Sequence, residues 1–124
     1  MPRRTSIAAI LILTCSTVWI GGPSGADTLR VKAAGSESEG WSWMPATRHA
    51  AAGDKVVWRN PTDKTHTVTS YGRGWSKNVE ISPGERTRQT FRKTGTFKYR
   101  CTVTGHSSVS DGRCVGMCGK VRVH

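Results

Sequence analysis

The chain has 124 residues, of which 19 are Lys or Arg and 8 are Asp or Glu, so its formal net charge is +11 at pH 7. This length suits one compact domain and excludes two. The basic residues are scattered without a concentrated run, which argues against nucleic acid as a partner. A strong positive charge serves solubility or steers a protein toward an acidic partner or surface, and the sequence leaves both roles open.

The N-terminal segment has the layout of a secretory signal peptide. Two Arg residues precede an apolar run over 7–20, and a small-residue site ends at Ala26. The run is shorter than the roughly 20 apolar residues of a transmembrane helix. We expect cleavage after Ala26, so that residues 1–26, with Cys15, are the signal peptide and residues 27–124 form a secreted or periplasmic domain.

Alternating apolar and polar residues predict short strands along the rest of the chain. The predicted strands are 29–33, 47–51, 55–59, 66–70, 79–81, 86–91, 96–101 and 119–123. The segment 41–44 is predicted to be an irregular edge element that Pro45 ends. Turn residues separate these segments, and none of them has a helical period. The pattern therefore predicts an all-β sandwich or barrel.

Four metal-binding side chains follow one another in the order His66, Cys101, His106 and Met117. Two imidazoles, one thiolate and a weak axial thioether are the donors of a mononuclear electron-transfer copper site. Cys101 ends a predicted strand, so we expect its sulfur to point into the interior at one end of the fold. Any of these residues alone is more typical of an ordinary core or surface position. Their order and clustering predict a copper ion as the cofactor.

Three cysteines remain after cleavage, an odd number for an oxidising compartment. If Cys114 and Cys118 pair, Cys101 is the free thiol, and a metal-bound thiolate explains its survival. This short disulfide loop would stabilise the fold by about 2 kcal/mol in the chain-entropy model and would hold Met117 in place. The alternative is that the two thiols bind a second metal ion or form a dinuclear copper centre. No His follows Cys118 before His124, which argues against this alternative.

Several segments resemble those of the cupredoxins, the plastocyanin and azurin family of small blue copper proteins. The segments that carry the resemblance are 53–60 with 66–68, 82–84 with 95–101, 101–107, and 117–121. The resemblance implies a Greek-key β-sandwich that binds one type 1 copper ion, cycles between Cu(II) and Cu(I), and carries electrons.

The chain departs from the family pattern at two places. Ten residues separate His106 from Met117, more than the family usually has, and Ser110 stands where azurin-like spacing would place the Met. The axial ligand is either Met117, if the Cys pair folds the insertion out, or absent from a three-coordinate site. Thr67 stands where the family commonly has Asn, and we expect its hydroxyl to supply the hydrogen bond that stiffens the ligand loops.

The sequence thus predicts an exported electron carrier that is monomeric and not an enzyme. Its expected partners are redox proteins with an acidic docking surface, and the mature chain is expected to have no transmembrane segment. A copper-binding or copper-buffering protein without an electron-transfer role is the alternative. An enzyme fragment is a third hypothesis, because multicopper oxidases and nitrite reductases reuse the fold, but a single domain without further copper-ligating histidines argues against it.

Overall fold

A computed structural model describes residues 26–124, in which eleven β-strands and no helix occur. The strands are β1 (Thr28–Ser36), β2 (Gly40–Met44), β3 (Thr47–Ala50), β4 (Lys55–Arg59), β5 (His66–Tyr71), β6 (Asn78–Ile81), β7 (Arg86–Thr90), β8 (Gly95–Arg100), β9 (Ser107–Ser110), β10 (Arg113–Gly116) and β11 (Cys118–Val123). Apart from Ala26, the predicted signal peptide lies outside the described residues, as does Cys15. No helix capable of crossing a membrane is found in the described part.

Two sheets form the layers of a sandwich. One has the strand order β2-β1-β4-β7 and the other the order β3-β11-β8-β5-β6, while β9 and β10 form a separate hairpin. Strands that are neighbours in a sheet are mostly distant in sequence, as in a Greek key. The pairs β1–β4 and β3–β11 are parallel, and the other pairs are antiparallel. The predicted all-β Greek-key sandwich is therefore confirmed.

The core lies between the two sheets because each strand turns alternate residues inward. The largest fully buried apolar side chains are Trp43, Trp58, Tyr99, Ile81, Met117, Val31, Val56, Val68 and Val121. The Tyr99 ring lies directly over Gly119 of β11, where an added Cβ would overlap its ring atoms. The glycine at this position thus lets a large aromatic ring fill the centre of the sandwich.

The segment 41–44 differs from its prediction. It belongs to the regular strand β2, which pairs antiparallel with β1 from Lys32 opposite Met44 to Ser36 opposite Gly40. The predicted edge position is right, because β2 is the outer strand of its sheet. The prediction of an irregular element is wrong, because strand pairing with β1 imposes regular geometry.

The insertion between His106 and Met117 forms the β9–β10 hairpin, which the sequence analysis did not predict. Its two-residue turn consists of Asp111 and Gly112, with φ of 50° and 73°. Positive φ at both central residues is typical of a type I′ turn, for which Asp-Gly is a preferred sequence. Most residues of the hairpin are exposed, and its two ends meet at the hydrogen bond between the Met117 N–H and the His106 carbonyl.

Candidate metal centre

Three of the four predicted donors converge at one end of the sandwich. Cys101 Sγ lies 3.8 Å from His66 Nδ1 and 3.4 Å from His106 Nδ1, and the two Nδ1 atoms are 3.2 Å apart. A metal ion with bonds of about 2.0 Å to nitrogen and about 2.3 Å to sulfur separates such donors by roughly 3.3–3.7 Å in tetrahedral or trigonal geometry. The three side chains therefore fit around one ion. They are the one metal-binding group of His, Cys, Asp or Glu found within residues 26–124.

The five-stranded sheet places His66 and Cys101 side by side. His66 is the first residue of β5, and Cys101 directly follows β8, the antiparallel neighbour of β5. Both side chains are fully buried. His106 lies beyond a short turn in which its N–H donates to the Val103 carbonyl at 2.9 Å. Two donors thus come from the sheet and the third from a loop.

The sulfur of Cys101 is a free thiol in an environment that favours a fixed position. The backbone N–H of Thr67 donates to Cys101 Sγ at 3.3 Å. The hydroxyl of Ser107, at the base of the hairpin, donates to the Cys101 carbonyl. Hydrogen bonds therefore hold the cysteine from both β5 and the hairpin.

The Thr67 hydroxyl lies between the two ligand loops. It accepts a hydrogen bond from the backbone N–H of Thr102 at 2.8 Å and contacts the Thr102 hydroxyl at 2.9 Å. The start of β5 is thereby tied to the residue after Cys101. A hydrogen bond from the Thr67 hydroxyl that stiffens the ligand loops was expected from the sequence, and the Thr67 hydroxyl lies where it can do so.

The outer nitrogen of His66 is held by Thr62. The Asn60 side-chain amide donates to two backbone carbonyls, so its oxygen accepts the Thr62 hydroxyl proton at 2.6 Å. The Thr62 oxygen must then accept from Nε2–H of His66, 2.9 Å away. A proton on Nε2 leaves the Nδ1 lone pair of His66 directed at the other two donors.

Both imidazoles favour the neutral form that binds metals. Burial, reinforced by the nearby His106, lowers the pKa of His66 from 6.5 to about 4. Burial also lowers the pKa of His106, although Glu37 acts in the opposite direction. Metal ligation requires deprotonated donors, so the two histidines are prepared for it at neutral pH.

The hairpin brings Met117 beside two of the donors despite the ten-residue insertion. The Met117 N–H donates to the His106 carbonyl at 2.8 Å, and its own carbonyl accepts from the Cys101 N–H at 3.0 Å. The Met117 side chain is fully buried. Cys114 and Cys118 form a disulfide around it, so neither sulfur is a free thiol for a second metal.

Two contributions to the site were missed by sequence reasoning. The Trp41 ring packs against both histidines, with ring centroids 4.8 Å from His66 and 5.6 Å from His106. The pairing of β2 with β1, which no local pattern reveals, places it there. The second is Thr62, whose signal was available: Asn60 begins a turn in which its side-chain oxygen accepts from the Thr62 N–H at 3.0 Å.

No protein-family profile and no curated protein matches the chain. Solved structures do match it. A purple cupredoxin from Nitrosopumilus maritimus is 17% identical, with 77% of this chain and 99% of that chain covered and a TM-score of 0.59. A point mutant of amicyanin in its reduced state is 23% identical, with 84% and 87% covered and a TM-score of 0.57.

A Cu-containing nitrite reductase from Thermus scotoductus SA-01 is also similar to the chain. It is 21% identical, with a TM-score of 0.57, and the match covers 78% of this chain but 22% of the reductase. These likenesses show that the chain has the fold of the cupredoxins, which confirms the resemblance found in the sequence at the level of the fold.

Proposed function

We propose that the protein is a type 1 copper protein that holds one copper ion with His66, Cys101 and His106 and passes single electrons between redox partners. The convergence of a buried free thiol with two imidazole nitrogens at 3.2–3.8 Å carries this proposal. A thiolate suits Cu(I), and imidazoles suit copper generally. The similar amicyanin, which is described in a reduced state, supports a redox role.

Electron transfer requires donors that change position little between oxidation states. One hydrogen bond holds each of the two donors that come from the sheet in position. Thr62 fixes the His66 ring, and the Thr67 N–H fixes the Cys101 sulfur. Such outer contacts orient ligands and raise metal affinity. Bound copper would supply the one-electron chemistry, while the protein holds the donors and excludes water.

Met117 is proposed as the weak axial donor. Its support is the backbone position beside Cys101 and His106 together with its burial. The substitution Met117→Leu keeps the volume and removes the sulfur. We expect the visible band to persist at a shifted wavelength and the reduction potential to rise, as measured by absorption and voltammetry. An unchanged spectrum and potential would mean that Met117 is not a ligand.

The protein is proposed to be a monomeric carrier outside the cytoplasm rather than an enzyme. The nitrite reductase match covers 22% of that enzyme, so it gives no support for assigning the enzyme's activity to this chain. The signal-like N-terminus and the Cys114–Cys118 disulfide support an oxidising compartment. Nitrite reductase or oxidase turnover by the isolated protein would contradict the carrier role.

The decisive experiment is the absorption spectrum of the copper-loaded protein. We expect an intense visible thiolate-to-copper band that Cys101→Ser abolishes. The double variant Cys114→Ser/Cys118→Ser is the matched control, because it removes sulfur close to the site without touching the three donors, and it should keep the band. A colourless Cu(II) complex would refute the proposal. A coloured protein with very slow electron self-exchange would favour the copper-buffering alternative.

A further inference from the structure

The outer face of the four-stranded sheet is strongly basic. Its outward positions carry six basic residues: Arg30 and Lys32 on β1, Lys55 and Arg59 on β4, and Arg86 and Arg88 on β7. The four strands of this sheet contain no Asp or Glu. Since neighbouring strands lie about 4.8 Å apart, these charges form a dense array.

Three of these cations stand side by side across paired strands. Lys32 lies opposite Arg59, and Arg59 lies opposite Arg86. Like charges directly opposite each other destabilise a sheet. No ion pair relieves them, because the one ion pair within residues 26–124 joins Lys64 and Glu37. This basic row therefore opposes folding, and negative charge from a partner would relieve the repulsion.

The outer face of the five-stranded sheet carries charges of both signs. It carries Lys98, Arg100, Lys120 and Arg122, but Glu80 lies on the same face. The basic row is also flanked by an apolar contact: Met44, which is 51% exposed, lies opposite Lys32. Cations around an exposed apolar side chain are suited to a protein surface with carboxylates at its rim.

The basic row borders the metal end of the molecule. Arg59 directly precedes Asn60, whose side chain holds the Thr62 hydroxyl that bonds to His66. Lys32 lines two surface depressions, one shared with Arg59 and the other reaching Trp41. A partner seated over the row would thus lie next to the side of the sandwich that carries the candidate ligands.

We propose that the outer face of the four-stranded sheet, centred on Lys32, Arg59 and Arg86, is the docking surface for an acidic protein. The identification of that protein as a redox partner rests on the function proposed above. The binding itself does not, because the basic row exists without copper. Charge complementarity makes the association fast and sensitive to salt.

Poly-L-glutamate is a defined probe for this surface. In ¹⁵N–¹H NMR titrations at low salt, we expect the largest shifts at the strand residues of the basic row, in both copper-free and copper-loaded protein. Arg59→Glu converts the row to alternating charges, so it should weaken binding about tenfold and raise the melting temperature. A residue with only a structural role would lower the melting temperature instead.

Arg122→Glu is the matched control, because it makes the same charge change at an exposed position of β11, opposite Thr96. We expect it to weaken binding less than about twofold. Equal effects of the two variants would reduce the interaction to net charge and overturn the proposal. Binding to phosphatidylglycerol vesicles but not to polyglutamate would overturn it in favour of a membrane surface.

The two proposals fail separately. A colourless Cu(II) complex that still binds polyglutamate at the basic row would leave the docking surface standing and refute the electron-transfer function. A blue protein whose polyglutamate binding is unaffected by Arg59→Glu would refute the docking surface and leave the proposed copper function standing.

Discussion

The two histidines of the candidate metal centre are held in different ways. His66 begins a strand of the sandwich, is fully buried, and has its outer nitrogen fixed by Thr62. His106 lies in a loop, is half-buried, and is anchored through its backbone at the base of the hairpin. The sandwich thus fixes one side of the site, while local closure of an insertion fixes the other. Substitutions confined to one side should therefore change the site in distinguishable ways.

The largest effect is expected from Gly116→Ala on the hairpin side. Gly116 has a φ of 97°, and an added Cβ would overlap the His106 carbonyl oxygen. The strain should lower the free energy of unfolding by about 3 kcal/mol and disturb the His106 position. Thermal unfolding and the copper spectrum measure the two effects.

Gly112→Ala is the control for this prediction. Gly112 also has a positive φ, of 73°, but an added Cβ there would meet open space. We expect a loss of about 1 kcal/mol and an unchanged copper spectrum. If both variants behave alike, the close approach of the hairpin base to His106 has no role in the site.

Removal of the disulfide should have the next largest effect on the same side. In Cys114→Ser/Cys118→Ser we expect the free energy of unfolding to fall by about 2 kcal/mol, because the unfolded chain regains the freedom of a short loop. The base of the hairpin is separately closed by the hydrogen bond between Met117 and His106, so the visible band should persist. Chemical unfolding in oxidising buffer provides the measurement, and a loss of copper binding would show that the disulfide itself builds the site.

On the His66 side, Thr62→Val should loosen the metal centre without disturbing the hairpin. The change removes the hydroxyl that bonds to His66 Nε2 and one of the two donors to the Asn60 oxygen, which keeps the Thr62 N–H. Buried polar groups that lose a partner destabilise a protein by about 1–2 kcal/mol, and loss of such an outer contact lowers metal affinity about tenfold. Competition with a copper chelator measures the affinity. Thr62→Ser keeps the hydroxyl and should retain nearly normal binding, so equal losses in both variants would refute the role of the hydrogen bond.

Stability should also depend on pH, and this dependence again separates the two sides. The pKa of His66 is about 4 in the folded metal-free protein and 6.5 as its ordinary value. Between these values the unfolded state binds a proton that the folded state does not, so stability should fall as pH drops from about 6.5 toward 4. Above this window the stabilising contribution of His66 is fully present.

Urea unfolding of the metal-free protein at a series of pH values tests this dependence. His66→Gln should remove most of it, because glutamine does not titrate. His106→Gln should remove less, since Glu37 partly offsets the lowering of the His106 pKa by burial. If the two variants lost the same amount of pH dependence, burial would not lower the pKa of His66 more than that of His106.

Much of the fold was predictable from alternation alone. Inward residues such as Val56 and Trp58 of β4 are fully buried, and the strand ends agree with the sequence prediction to within a few residues. The hairpin had a local signal in Asp111-Gly112, because Asp-Gly is a preferred sequence for a type I′ turn. The strand β2 had no such signal, because its regularity comes from pairing with β1 rather than from its own pattern.

The donor types, their order and the alternation that buries one face of each strand follow from the amino-acid sequence alone, because these depend on residue chemistry and local periodicity. The three-dimensional fold was needed to show that His66 and Cys101 come from adjacent strands, that Trp41 covers both histidines, and that the insertion returns Met117 to the side of Cys101 and His106. The fold also aligns in one row cations that are separated along the chain. Strand pairing joins residues that are far apart in sequence, and no local pattern specifies which strands become neighbours.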